Sequence, residues 1–102
     1  MVTVTEPAQD MLKGMLIARG AGPEEVLRLY PMPNGGYAVS ISTELSGDQV
    51  VEHEGYKVLL VGIEYFRMLD GAVVDCRTTE SGPVLFVQID PTRKKYGRGR
   101  ER

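Results

Sequence analysis

Apolar positions along the chain recur with two different periods, and the change of period marks its elements. Ala8, Met11, Leu12, Met15 and Leu16 fall at i, i+3, i+4, i+7 and i+8, which is one stripe of an amphipathic helix. Thr5 stands before it as a cap, Glu6-Pro7 suits the first turn, and Arg19-Gly20 suits a last turn with a left-handed stop. From Val26 the period becomes two. Val26-Leu27-Arg28-Leu29-Tyr30 predicts a strand ended by Pro31 and Pro33. Tyr37, Val39 and Ile41 alternate with Ala38, Ser40 and Ser42, which predicts a half-buried strand. Residues 50–53 and 56–61 flank Glu54-Gly55 and read as a tight hairpin. Ile63, Phe66 and Leu69 predict a short second helix that stops at Asp70-Gly71, and residues 72–78 and 83–89 predict a last pair of strands. Helix, strands, hairpin, short helix and strand pair add up to an α+β fold of small, mostly antiparallel sheets.

Between the first two long strands lies P-M-P-N-G-G at residues 31–36. Two prolines and two glycines give this loop a special backbone, and Asn34 is its one side chain with chemistry to offer. The loop either turns the chain or is shaped to present something.

Length and charge narrow the picture. A chain of 102 residues is one domain, able to bury about 60–70% of its unfolded surface without disulfides. Its apolar share of 42% and charged share of 25% are those of an ordinary globule. The net charge of −2 conceals an asymmetry. R-K-K-Y-G-R-G-R-E-R at 93–102 holds six of the twelve basic side chains and one acid, which leaves six basic against thirteen acidic in the first 92 residues. The expected organisation is therefore a folded domain over residues 1–91 and a basic, flexible tail over 92–102. The N-terminus has no basic segment followed by an apolar run, and V-L-L-V-G-I is far too short to span a bilayer. A cytoplasmic protein without membrane contact is expected. One cysteine forbids an intrachain disulfide.

Candidate chemistry is sparse. His53 is the sole histidine and lies between Glu52 and Glu54. Neighbours on a strand point to opposite faces, so these three do not converge on a metal without a bulge, and His53 is expected as a solvated hairpin end. Cys76 shares a strand face with Ala72 and Val74 and is expected as a small packed hydrophobe rather than a nucleophile. Glu24-Glu25 has no partner that would separate two carboxyl pKa values, and Gly35-Gly36 lacks the rest of a phosphate-binding loop. No enzymatic activity is expected. The tail could add a salt-dependent attraction to phosphate backbones, with Tyr96 stacking on a base, but nucleic acid is not the expected partner.

The order of the elements, with several short motifs, resembles the A-type iron–sulfur cluster carriers, the HesB-like domain. The motifs are V-T-E-P-A-Q-D-M-L, V-L-R-L, G-G-Y-A-V, E-G-Y-K-V-L-L-V, L-D-G with V-D shortly after, and S-G-P-V-L-F-V; they cover residues 3–91. The resemblance implies the family's compact fold of small sheets with an N-terminal and a second short helix, and a tendency to form dimers or tetramers, of which a homodimer is expected here. It also implies three thiolates per subunit, one in the glycine-rich loop and two in a C-terminal Cys-Gly-Cys, because iron in such clusters binds anionic sulfur. This chain departs from the pattern there. Asn34 occupies the loop position, and Y-G-R-G places Tyr96 and Arg98 at the other two.

The function so implied is that of a non-catalytic, cysteine-deficient relative of the carriers, without a cofactor of its own. It would act as a binding or accessory module toward protein partners of iron–sulfur assembly. Asn34, Gly35 and Gly36, with Arg93, Lys94 and Lys95 of the tail, form the expected contact region. Two alternatives stay open. One is an assembly factor that holds iron or an iron–sulfur cluster through oxygen ligands such as Asp48, Glu52 and Glu54. The other is a binder of nucleic acid or an acidic partner through the tail.

Overall fold

The structure is a computed structural model and describes residues 1–89. Its elements are β1 (Thr3–Val4), α1 (Glu6–Ala18), β2 (Glu25–Pro31), β3 (Tyr37–Thr43), β4 (Gln49–His53), β5 (Tyr56–Val61), a 3-10 turn at Ile63–Tyr65, β6 (Val73–Thr79) and β7 (Gly82–Gln88). They form a four-stranded sheet in the order β3-β2-β5-β4 and a three-stranded sheet in the order β1-β6-β7. The architecture is the expected α+β fold. Antiparallel pairing joins β2 to β3, β4 to β5 and β6 to β7, while β2–β5 and β1–β6 run parallel.

The helix begins where its cap predicts. Thr5 Oγ1 accepts from the Ala8 amide at 3.3 Å and donates to Asp75 Oδ1 at 2.7 Å, so one hydroxyl both caps α1 and ties it to β6. The helix ends at Ala18, followed by Gly20 at φ 65°, a conformation that costs glycine nothing. Ala8, Leu12 and Leu16 are the buried members of its stripe, with Met11 and Met15 half-buried.

This stripe packs on Leu27 and Leu29 of β2, Val58, Leu59 and Val61 of β5, and Val74 of β6. All four residues Val58–Val61 are fully buried. A strand with neighbours on both sides and cover on both faces reads as a continuous apolar run rather than an alternation. Leu69 and Ala72, from the segment that follows the 3-10 turn, complete the core. The predicted short helix is thus a single 3-10 turn, and its deepest apolar residue, Leu69, lies beyond it.

Two features have no counterpart in the sequence reading. Pro31 belongs to β2, paired with Tyr37, rather than ending the strand before it; as the last residue of the strand, it needs no ladder bond from its nitrogen. The N-terminus forms β1, with the Thr3 amide donating to the Ala72 carbonyl and the Thr5 amide to the Val74 carbonyl. Gln49 joins the two sheets here, accepting from the Val2 amide and donating to the Val2 carbonyl, each at 2.9 Å.

Candidate functional site

The loop singled out in the sequence closes on itself. The Met32 amide donates to the Gly36 carbonyl at 2.8 Å, and the Gly35 amide to the Met32 carbonyl at 3.0 Å. Gly35 adopts φ 93°, which only glycine accepts readily. Asn34 Oδ1 accepts from the Gly36 amide at 2.9 Å, the turn-forming bond typical of asparagine. Asn34, Gly35 and Gly36 are all exposed, but the amide oxygen of Asn34 is engaged in the loop's own closure. Tyr96, Arg98, Arg93, Lys94 and Lys95, and the expected flexible tail with them, lie outside the described residues.

An iron–sulfur cargo needs anionic sulfur, and this donor set does not fit it. The chain's one thiol, Cys76, is half-buried on β6 and packs against the core, in the sheet that does not contain the β2–β3 loop. Its environment agrees with the packing role expected of it.

Of the three carboxylates considered as oxygen ligands, Asp48 and Glu54 are engaged by basic partners of their own. Asp48 accepts from both terminal nitrogens of Arg28, at 3.1 and 2.8 Å, and from the Leu45 amide at 2.7 Å. The Arg28 hydrogen bonds, with the Leu45 amide, hold the Asp48 carboxyl below its ordinary range despite burial, which acts in the opposite direction. Glu54 binds Lys13 at 2.8 Å, and Glu52 is exposed.

His53 is the correction. It is not a solvated hairpin end but 7% exposed. Two local features bring this about. The β4–β5 register shifts between Val51 and Glu52, the bulge that alternation alone could not foresee. The turn then places Glu54 at φ 55° and Gly55 at φ 84°, the paired positive values of a type I′ hairpin. His53 and Glu54 therefore do not point to opposite faces. The imidazole turns under α1, where Nδ1 lies 2.8 Å from Gln9 Oε1 and Nε2 lies 2.7 Å from Asp10 Oδ1. Glu54 Oε1 stands 3.8 Å from the same Nε2.

Lys13, one turn on from Gln9 and Asp10, completes the cluster. Its ammonium pairs with Glu54 and sits 4.6 Å above the Tyr56 ring centroid. The mutual hydrogen bond is the main cause of a raised Lys13 pKa and a lowered Glu54 pKa. Asp10 escaped the sequence reading because it falls on the polar side of the helix. The signal in the sequence is the clustering of Gln9, Asp10 and Lys13 within about one turn of the helix.

Beside this hairpin, an open groove of about 530 Å³ runs between the end of α1, the start of β2 and the turn residues Gly55 and Tyr56. Its rim carboxylate Glu44 is paired with Lys57 at 2.8 Å. Among the described residues, no helix is long and apolar enough to cross a membrane.

The sequence matches no family model and no curated protein. The fold, however, is shared with solved structures. Escherichia coli SufA, described as involved in biosynthesis of iron–sulfur clusters, superposes with a TM-score of 0.68 at 22% identity over 85% of this chain and 83% of its own. An Aquifex aeolicus protein solved by solution NMR gives 0.65 at 22% identity, over 87% and 91%. A crystal structure of IscA with the [2Fe-2S] cluster gives 0.57 at 18% identity, over 89% and 83%. At these identities the likeness is one of fold, and it is the fold the sequence motifs implied.

Proposed function

We propose that this chain is a cysteine-poor relative of the A-type iron–sulfur carriers that acts as a binding or accessory module and does not carry a cluster itself. The observation that carries the reading is the closed β2–β3 loop. The position where the resemblance expects a thiolate holds Asn34, whose amide oxygen is engaged by the Gly36 amide at 2.9 Å. A neutral amide lacks the anionic charge and softness that iron requires of such a ligand. The other two expected positions are Tyr96 and Arg98, and a guanidinium repels a cation.

The loop frame, with Gly35 and Gly36, and the basic residues Arg93, Lys94 and Lys95 are the surface offered to protein partners of iron–sulfur assembly. The protein works as a homodimer and catalyses no reaction of its own. Support comes from the shared fold with SufA and IscA, together with the loss of sulfur from all three expected positions.

Iron and acid-labile sulfide should be measured on protein purified and reconstituted without oxygen. The expected result is a colourless protein holding neither in stoichiometric amount. Stoichiometric iron and sulfide, with cluster absorption, would overturn the reading.

A further inference from the structure

The hydrogen bonds around His53 determine which of its nitrogens carries a proton. Gln9 Nε2 donates to the Val4 carbonyl at 2.8 Å, so the Gln9 amide cannot be flipped without facing oxygen against oxygen. Its Oε1 is then the atom presented to His53 Nδ1, and Nδ1 must be the donor of that 2.8 Å contact. Nε2 faces Asp10 Oδ1, 2.7 Å away, and there either donates a proton to the carboxylate or offers its lone pair to a cation held with it. A proton or a metal ion can occupy that separation, and a second carboxylate, Glu54, converges on the same nitrogen at 3.8 Å.

We propose that Asp10, His53 and Glu54 form a binding site for one divalent first-row transition-metal ion of the zinc class, with the Lys13 ammonium as the cation that the ion displaces. The three ligand atoms lie within 4.8 Å of one another. Around a tetrahedral ion with bonds near 2.1 Å, ligand atoms stand about 3.4 Å apart. The Nε2 distances of 2.7 Å to Asp10 and 3.8 Å to Glu54 bracket that value. Both carboxylates are well exposed, at 68% and 61%, and can make the adjustment, while the buried imidazole stays where it is.

The chemistry of the set selects the ion. An imidazole nitrogen favours zinc, cobalt or nickel over calcium and magnesium. The Gln9–His53 hydrogen bond is the outer contact that orients ligating histidines and sets their tautomer. A proton on Nε2 bridges only His53 and Asp10, whereas a divalent ion engages Glu54 as well and balances both carboxylate charges. Lys13 neutralises Glu54 in the absence of metal and, in that same position, already lies over the Tyr56 ring, a contact that does not depend on Glu54. The site therefore opens without stranding a buried charge. Solvent or a partner's donor would fill the remaining coordination position on the exposed side. This site is independent of the lost thiolate positions and does not rest on the accessory role proposed above.

The test is a titration of the full chain with Zn²⁺ alone by calorimetry, with Co²⁺ as a spectroscopic probe. One ion per chain is expected, without thiolate charge-transfer absorption, and with the ring protons of the single histidine shifted by Co²⁺. Asp10→Asn and Glu54→Gln, both at exposed positions, should each weaken binding by about tenfold or more. Lys13→Met should tighten it several-fold by removing the competing ammonium. Failure to take up Zn²⁺ or Co²⁺ saturably would overturn the proposal. So would an Asp10→Asn, Glu54→Gln double variant that binds as tightly as the parent, or a cobalt signal abolished by Cys76→Ser.

Discussion

Arg28 on β2 and Asp48, just before β4, meet through two parallel hydrogen bonds of 3.1 and 2.8 Å. With side-chain exposures of 16% and 3%, the pair is largely sealed from water. Arg28 also donates to Ser42 Oγ and the Thr43 carbonyl, so it fixes the end of β3 as well as the 45–48 turn. Such a bidentate pair holds both partners in one geometry.

Asp48→Asn leaves the guanidinium without its anion and should destabilise the protein by about 3 kcal/mol at neutral pH. Because the folded Asp48 pKa lies below its ordinary 3.8, this stabilisation is complete above the unfolded value and is lost as pH falls through the folded one. Urea unfolding at pH 7 and at a series of lower pH values checks both statements. The gap between parent and variant should stay constant down to about pH 4 and narrow below it. A gap that widens on acidification would contradict the sign.

Thr5 does two jobs with one hydroxyl, capping α1 and donating to Asp75. Thr5→Ala should therefore cost about 1–2 kcal/mol, toward the upper end for a single cap. Thr5→Ser, which keeps both bonds, should recover most of it. The Asp75 carboxyl is held below its ordinary range chiefly by this hydroxyl. Its pKa, followed by side-chain carboxyl NMR, should accordingly rise in the alanine variant and not in the serine one.

The cluster-ligand reading has a constructive test. Asn34→Cys, Tyr96→Cys and Arg98→Cys together should acquire iron and sulfide on anaerobic reconstitution, while Asn34→Cys alone should not, since one thiolate per chain at the ligand positions is too few and Cys76 lies in the other sheet. Iron retention by the single variant equal to that of the triple one would show that the other two positions are not ligand positions.

Local patterning made much of this protein legible. The Ala8-Leu12-Leu16 stripe, the Thr5 cap and the Gly20 stop all act within a few residues of one another. So do the Tyr37-Val39-Ile41 alternation and the Glu54-Gly55 turn. The same holds for Asn34, whose bond to the Gly36 amide spans two residues. Strand β1 was missed because two residues carry no usable period. The short helix was over-read because Ile63, Phe66 and Leu69 have helical spacing, yet only Leu69 is buried.

What the sequence determined by itself, then, is most of the elements, the mostly antiparallel α+β class and the absence of cysteine at positions 34, 96 and 98, where the resemblance places thiolates. Only the tertiary structure decided which strands lie parallel, which faces close over them and which side chains His53 meets. The contact between His53 and Asp10 joins residues 43 apart, and Arg28 and Asp48 are 20 apart. Periodicity reports whether a residue faces the core or water, but not which other residue waits there. A bulge at Val51–Glu52 and a left-handed Glu54 were enough to turn one histidine from the solvent to the underside of α1.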